Sequence, residues 1–328
     1  MDSDKLRVFL KVAETGSFSR AAEVLGYTQA GVSYVIKSLE EELELQLVER
    51  NYNGIRLSED GIALYPEVCR AVHAADSFRF AIAGRKNNTS LTLHIGAIDT
   101  IATRWFADAM HYMMDNYTGF HFDIVKGNPF EINRWLEEGV IDLGFTEHAW
   151  ASRDFYWGEL TKDPYYGVLY SKENITAPCP FEAFHNREFF VADYGEDRNS
   201  ITYLRSRNVT PVYYPDKISN TLIVKSIALG MGSTIMPASM LIDSGMTRIG
   251  SKFFPKVVRM EDNVMRELGY IVLESNRQNP MIKQFVAGVA AAIEKDVMWN
   301  EFVEMDVWTY NDLIEANKRN ILSKESQK

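Results

Sequence analysis

The sequence predicts an α+β multidomain chain made of a winged helix-turn-helix, a long linker helix and a two-lobed α/β unit. Three observations support this. A chain of 328 residues is too long for one compact core. Two short helix patterns joined by a turn lie near the N terminus, and strand and helix patterns alternate beyond residue 90. We therefore predict four parts, over residues 1–60, 61–86, 87–295 and 296–328.

The composition is that of a globular protein. Hydrophobic residues make up 46% and charged residues 24%, which favours neither a disordered nor a fibrous chain. No stretch approaches the roughly 18 to 20 uninterrupted apolar residues of a membrane-spanning helix. The first residues are acidic and lack the basic start and apolar middle of a secretory signal. These features predict a cytoplasmic protein with no membrane partner.

The chemistry-bearing residues show no enzyme or metal signature. The two cysteines, Cys69 and Cys179, lie far apart without a CxxC companion, and the six histidines have no HExxH spacing. There is no GxSxG motif and no glycine-rich phosphate loop with a lysine. We expect no catalytic residues, no metal and no cofactor.

The net charge of −10 argues, taken alone, against a nucleic-acid partner, because phosphates are bound by lysine and arginine. Acidic residues also outnumber basic ones within residues 1–60. The acids, however, crowd into residues 40–49, whereas Arg20, Lys37, Arg50 and Arg56 fall beside the segments expected to approach DNA. The distribution of charge is therefore compatible with DNA binding.

Three helices are predicted near the N terminus. Leu6, Phe9 and Val12 recur at helical spacing in the first helix, which ends near Gly16. The second spans residues 19–25, with Ser17 or Ser19 as its cap. The third spans residues 29–39 and is capped by the Thr28 hydroxyl.

The third helix has one apolar and one polar face. By their spacing, the apolar side chains that face inward are Val32, Val35, Ile36 and Leu39. Gln29, Ser33, Tyr34 and Lys37 are left on the outside. Two short helices joined by such a turn set the second one in a major groove. There Gln29 can pair with adenine, Ser33 can donate or accept, and Lys37 can reach guanine or phosphate.

A wing follows the third helix. Residues 43–50 are strand-prone, residues 51–54 form a turn, and residues 55–57 return as a second strand. Arg50 and Arg56 at its base suit backbone phosphates. The alternative for the whole segment is a three-helix packing unit that contacts protein and not DNA. For Arg20, Tyr34 and Arg56 individually, the alternative is a side chain that is simply solvated.

This segment resembles the LysR-type family of bacterial transcription regulators. The positions that carry the resemblance are Leu6, Phe9, Val12, residues 16–18, Ala21, Ala22, Leu25, residues 28–33, Ile36, Lys37, Leu39, Glu40, Leu43, Leu47, Arg50 and residues 57–61. Three positions depart from it: Gly31, Glu44 in place of the usual glycine, and Val48 in place of the usual phenylalanine. Glu44 is expected to alter the turn before the wing without disturbing the third helix. The resemblance implies double-stranded DNA as a partner and, for a regulator of transcription, RNA polymerase.

A linker helix is predicted from Glu59 to Gly84. Its apolar positions are Ile62, Tyr65, Val68, Cys69, Val72, Phe78 and Ile82. We expect a kink at Pro66, which removes one backbone hydrogen bond. An apolar stripe without a partner in its own chain predicts pairing with a second copy, as in the family, to give a homodimer or homotetramer. An ordinary intramolecular helix is the alternative.

The rest of the chain predicts two α/β lobes with a ligand cleft between them. Strands at residues 91–96, 120–126 and 142–146 alternate with helices at residues 100–116 and 131–138. A second unit spans residues 188–245, and a strand at residues 268–273 and a helix at residues 280–295 cross back to the first. Such a cleft is the default place for a small molecule. Residues 296–328 suggest one or two amphipathic helices, packed on the second lobe or on another subunit.

This half is similar to the family's regulatory domain, which in turn resembles periplasmic binding proteins. The matching motifs are residues 93–96, 139–145 and 228–232 with Pro237. The resemblance places the effector at Asp99, Thr100, Thr103, Gly127, Asn128, Thr146, Glu147, Tyr194, Gly195, Ser219, Asn220 and Thr221. Asp99 and Glu147 add negative charge, so we expect a neutral or cationic effector. Nearby Trp105, Phe130 and Tyr194 suggest an aromatic one.

The function predicted is a DNA-binding regulator that responds to a small effector. The alternative is a solute-binding or sensor protein without DNA binding, which would leave the first ninety residues unexplained. DNA affinity that falls with salt concentration discriminates the two.

Overall fold

The structure, a computed structural model, describes residues 2–51, 54–83, 91–116, 120–191, 199–213, 218–246 and 251–325. The helices are α1 (Ser3–Thr15), α2 (Phe18–Leu25), α3 (Gln29–Leu43), α4 (Glu59–Ala83), α5 (Asp99–Asn116), α6 (Pro129–Glu137), α7 (Asn199–Ser206), α8 (Asn220–Ala228), α9 (Ala238–Asp243), α10 (Pro280–Lys295), α11 (Val297–Val303) and α12 (Tyr310–Glu325). The strands are β1 (Val48–Asn51), β2 (Gly54–Leu57), β3 (Leu91–Ala97), β4 (Phe120–Lys126), β5 (Leu143–Glu147), β6 (Tyr156–Leu169), β7 (Glu188–Phe189), β8 (Val212–Tyr213), β9 (Thr234–Pro237), β10 (Lys256–Arg259), β11 (Met265–Val272) and β12 (Val307–Trp308).

The predicted winged helix-turn-helix is confirmed, and local capping sets its helix ends. Ser17, and not Ser19, caps α2, with its hydroxyl accepting from the Arg20 amide. Gly16 and Gly26 end α1 and α2 in the left-handed conformation, which glycine adopts without steric cost. The α3 helix runs four residues beyond the predicted end at Leu39. Its buried face includes Val32 and Leu39 as predicted.

The turn between α3 and the wing lies at Glu44, one of the positions that depart from the family pattern. Glu44 is the C-cap of α3 and has a φ of 56°, a left-handed conformation that favours glycine. One turn earlier, the Glu40 carboxylate accepts from the amides of Leu47 and Val48 at 2.8 and 3.1 Å. These two bonds fix the chain that enters β1, which pairs antiparallel with β2.

The linker helix α4 spans 25 residues, and part of it packs against the winged unit of its own chain. Val68 and Val72 belong to the core of the winged unit, and Cys69 is buried as well. The expectation of a wholly unpartnered stripe was therefore wrong, because α4 packs back onto α1. Ile62 and Phe78 remain 63% and 68% exposed. The kink at Pro66 stays a prediction.

The second half is built on a curled sheet that joins two lobes. The strand order is β12-β10-β6-β11-β5-β3-β4, and β9 also pairs with β6. We define the first lobe by β3, β4, β5, α5, α6 and α10, and the second lobe by β7 to β10 with α7 to α9. Strands β6 and β11 run antiparallel between them. The predicted return of residues 268–295 to the first lobe is confirmed, since β11 pairs with β5 and α10 packs on α5.

The strand that connects the lobes, β6, was not predicted from the sequence. Residues 156–164 of β6 pair with β11, whereas residues 165–169 pair with β9 and β10. The C-terminal segment forms two helices as expected and also a short strand, β12, which pairs with β10. This segment packs on its own chain.

Candidate DNA interface and effector cleft

The outer face of α3 is open in this chain. Gln29 and Lys37 are exposed, and Tyr34 is 74% exposed, whereas Ser33 is half-buried. Behind this face, Val32, Ile36 and Leu39 are at most 2% exposed and fix the helix against the rest of the unit. The structure thus brings three predicted DNA-reading side chains to one accessible surface, with Ser33 at its edge.

The N-terminal end of α3 is fixed by Thr28. Its hydroxyl accepts from the Gly31 amide at 3.0 Å and is used as a cap. Thr28 is exposed, and a hydroxyl whose oxygen accepts this bond can still donate its O–H to a phosphate. Arg20, on α2, is exposed.

The basic side chains near this face have acidic neighbours. Lys37 Nζ lies 3.6 Å from a Glu41 carboxylate oxygen on the same helix. On the wing, Arg56 donates to Glu49 through Nε at 2.9 Å and Nη2 at 2.6 Å. Arg50 lies in β1, and its side chain is outside the described part of the chain. Much of the positive charge predicted here is therefore compensated.

An ion pair that sequence analysis missed ties α1 to α3. Lys5 Nζ donates to Ser38 Oγ at 2.9 Å and to Glu42 Oε2 at 3.0 Å. The hydrogen bond from Lys5 lowers the pKa of the Glu42 carboxyl. Because the partners are 33 and 37 residues apart, no local pattern could reveal the contact.

The predicted effector positions at the edge of the first lobe have local structural roles. Asp99 pairs with Lys126 at 2.9 Å and lies 3.3 Å from the Thr103 hydroxyl. Gly127 is buried where the Trp135 ring fills the space a Cβ would need. Asn128 caps α6, accepting from the Phe130 and Glu131 amides at 3.0 Å.

A charged network is buried where the two lobes meet. Arg266, on β11, donates through Nη1 to Glu147 and through Nε to Asp163 at 2.9 Å. Its Nη2 reaches Ser239 Oγ at 2.9 Å and Thr100 Oγ1 at 3.4 Å. The three charged side chains are at most 2% exposed. Thr100 and Glu147 were predicted, whereas Arg266, Asp163 and Ser239 were missed.

Two other predicted effector positions carry buried oxygen atoms without partners. Thr146 Oγ1, in the first lobe, and Asn220 Oδ1, in the second, have no hydrogen-bond partner among the residues that the structure describes. Thr146 is 0% exposed. Buried polar atoms in proteins are usually hydrogen-bonded, so these two oxygens are candidates for contact with a bound molecule.

The remaining predicted positions lie at the start of α8 or outside the described residues. Ser219 caps α8 by accepting from the Leu222 amide at 3.4 Å, and Thr221 is exposed. Tyr194 and Gly195 fall in the part of the chain that is not described.

The aromatic residues that suggested an aromatic effector differ in their surroundings. Trp105 is 1% exposed, and its Nε1 donates to Asp296 at 3.1 Å, so it belongs to the core and gives no support to an aromatic effector. Phe130 is 58% exposed and packs edge-on against Trp150.

The described residues show neither a metal-ligand cluster nor a membrane-spanning helix. No group of three or more potential metal-ligating side chains was found within them. Within the same residues, no helix combines the length and apolar character needed to span a bilayer.

Comparison with known proteins matches both halves of the chain. The model of the bacterial regulatory helix-turn-helix proteins of the lysR family matches residues 3–62, and that of the LysR substrate binding domain matches residues 86–293. The HTH-type transcriptional regulator YvbU of Bacillus subtilis is 25% identical over 72% of this chain and 81% of its own length. The probable regulator LrrA of Synechococcus elongatus is 27% identical over the same shares.

Solved structures share the fold. A full-length variant of OxyR from Pseudomonas aeruginosa superposes with a TM-score of 0.69 at 20% identity, over 89% of this chain and 97% of that one. Full-length CbnR in complex with its target DNA gives a TM-score of 0.57 at 19% identity, over 89% of this chain and 100% of that one.

Proposed function

Because the chain belongs to the LysR family of bacterial regulators, we propose that its α3 helix reads base edges in a major groove under the control of a bound effector. The chain is a DNA-binding transcription regulator with an effector-binding domain, and it is not an enzyme. The observation that supports the role of α3 is its open face, with Gln29, Tyr34 and Lys37 exposed over a buried apolar face. We keep the division at residues 1–60, 61–86, 87–295 and 296–328 as part of this proposal.

The proposed DNA contacts divide into two kinds. Gln29 and Ser33 read bases, because an amide and a hydroxyl match base-edge donors and acceptors. Tyr34 and Lys37 border the same groove. Arg20, Thr28, Arg50 and Arg56 contact the sugar-phosphate backbone, which fixes register without reading sequence.

The test compares two variants on two kinds of DNA. An operator is first selected from a random duplex library, and dissociation constants are measured by fluorescence anisotropy at fixed salt. Gln29→Ala should weaken binding to the operator by about 1–3 kcal/mol, roughly 5- to 150-fold, and leave random duplex binding unchanged. Gln278→Ala, an exposed position far along the chain, is the matched control. Equal losses on both DNAs would contradict base reading by Gln29.

A DNA-binding regulator of this kind is also expected to form an oligomer and to have protein partners. We propose that α4 pairs with α4 of a second copy and covers exposed apolar side chains such as Phe78, giving a homodimer or homotetramer. Two α3 helices held about 34 Å apart then read a partly palindromic site. RNA polymerase is the further proposed partner, and the cytoplasm is the proposed location.

The effector is proposed to be neutral or cationic. The unpartnered oxygens of Thr146 and Asn220 can accept from an effector's N–H or O–H groups. An anion finds little to bind, because Arg266 already contacts two carboxylates and Asp99 occupies the first turn of α5. Isothermal titration of the full chain with succinate should give no binding heat. Micromolar binding of succinate that Thr146→Val abolishes would overturn this assignment.

A further inference from the structure

The C-terminal segment from Asp296 to Glu325 contacts both lobes. It follows the end of the matched substrate-binding domain at residue 293. Its first residue meets the first lobe, and its middle joins the sheet of the second lobe. A segment attached at two points restrains whatever motion takes place between its attachment points.

The attachment to the first lobe is a buried ion pair. Arg104 on α5 contacts Asp296 through Nε at 2.7 Å and Nη2 at 3.0 Å. Their side chains are 7% and 9% exposed. The same carboxylate accepts from Trp105 Nε1 at 3.1 Å and caps α11 through the Trp299 amide at 3.0 Å. Arg104 also reaches Asp243 on α9 of the second lobe at 3.2 Å.

The attachment to the second lobe combines strand pairing with side-chain bonds. Strand β12 pairs with β10 through Val257 and Val258. The Tyr166 hydroxyl on β6 lies 2.8 and 2.7 Å from the carbonyl oxygens of Phe302 and Met305. The Arg259 guanidinium donates to the Val303 carbonyl at 2.7 Å.

The buried side chains show that this attachment is packed as well as hydrogen-bonded. The ring of Trp308 lies 4.9 Å from that of Tyr166 and 3.9 Å from that of Phe302, measured between centroids. Both Trp308 and Phe302 are at most 2% exposed. The segment is therefore part of the domain core at this end.

We infer that residues 296–325 act as a strap that fastens the two lobes to each other and restrains their relative movement about β6 and β11. The strap sets how far the cleft opens in the absence of effector. Its part in regulation rests on the proposed effector response, but the restraint itself is a property of the free protein.

The test uses hydrogen exchange of the full chain without DNA or effector. Asp296→Asn removes the charge that holds Arg104 and keeps an oxygen that can cap α11. Strands β5 and β11 carry Glu147 and Arg266 of the network between the lobes, and neither strand is hydrogen-bonded to Asp296. Their exchange should then become about tenfold faster. Arg319→Gln is the matched control, because Arg319 pairs with Glu301 inside the strap. This control should leave both strands unchanged.

Two outcomes would overturn the inference. If faster exchange is confined to residues 296–325 and α5, the segment is only a local addition. The same holds if Arg319→Gln accelerates β5 and β11 as much as Asp296→Asn does. If circular dichroism shows that Asp296→Asn is unfolded, exchange of β5 and β11 is measured on Tyr166→Phe instead. This variant removes the hydroxyl that attaches the strap to the second lobe and keeps the ring, and it should accelerate the same two strands. Because no ligand takes part, failure here leaves the proposed effector response untouched.

Discussion

Replacing Arg266 tests the network buried between the lobes. Arg266→Met keeps most of the side-chain volume and removes the guanidinium that bonds Glu147, Asp163 and Ser239. Two carboxylates with at most 1% of their side chains exposed then lose their shared counter-ion. We expect the free energy of unfolding to fall by about 3–5 kcal/mol, the usual cost of leaving a buried charge without its partner.

The comparison that isolates the charge effect is a combined variant. Arg266→Met with Glu147→Gln and Asp163→Asn removes all three charges and keeps similar shapes. Replacing a whole buried ion cluster by neutral groups is often close to neutral in stability. The combined variant should therefore recover most of the loss of the single variant, to within about 1–2 kcal/mol of the original chain.

Urea unfolding followed by tryptophan fluorescence measures this. All six tryptophans lie between residues 105 and 308, so the signal reports on the two-lobed half and not on the DNA-binding unit. A loss below about 1 kcal/mol for the single variant would refute the reasoning, because it would mean that the carboxylates find other partners. A combined variant no more stable than the single one would refute it too, since packing and not charge would then dominate.

Three further predictions concern single positions. Glu44→Gly should stabilise the winged unit by about 0.5–1 kcal/mol in thermal melts, because Glu44 has a φ of 56°; a lower melting temperature would contradict this. Burial raises the pKa of the Cys69 thiol to about 11 and that of Cys179 to about 12, so iodoacetamide at pH 8 should modify neither without urea, as mass spectrometry can check. Burial also raises the pKa of Asp243 to about 6, so the folded chain keeps a proton between about pH 4 and 6 that the unfolded chain releases. The contribution of Asp243 to the free energy of unfolding therefore falls by about 1–2 kcal/mol as pH rises through that window. Solvent screening keeps the fall this small, because 30% of the side chain is exposed. Asp243→Asn should abolish this fall, and an unchanged pH profile would count against it.

The winged unit was predictable because its signals are local. Thr28 caps α3 and Gly16 ends α1 through bonds that span three or four residues, so short sequence patterns reveal them. The end of α3 was misplaced because Glu44 is an unusual residue for a left-handed cap. A glycine there would have marked the boundary.

The strand β6 was missed because its sequence carries strand-breaking signals. Pro164 and Gly158 both lie inside it, and Asp163 and Lys162 interrupt the apolar alternation. What makes this segment a strand is pairing with β11, about a hundred residues later. Propensity is a weak guide where such long-range pairing decides.

The network between the lobes could not be found from the sequence for a related reason. Glu147, Asp163, Ser239 and Arg266 lie on β5, β6, α9 and β11, and their spacing along the chain has no period. Only the crossing of the chain between the lobes brings them together. Glu147 and Thr100 were predicted as effector positions from the family resemblance, which compares whole domains. Arg266 was not among the positions that the resemblance predicted.

The compensated charges determine what kind of DNA binding this acidic chain is expected to show. Each phosphate contact made by a free cation releases counterions and steepens the salt dependence by about 0.9 in logarithmic slope. Lys37 and Arg56 lie against Glu41 and Glu49, so their contribution to that release is reduced. We therefore expect weak binding to random DNA, with the proposed base contacts of neutral groups such as Gln29 retained. If α3 reads DNA as proposed, selectivity depends more on the α3 face and on pairing of two copies than on net charge, and the salt dependence should be shallower than that of a basic regulator.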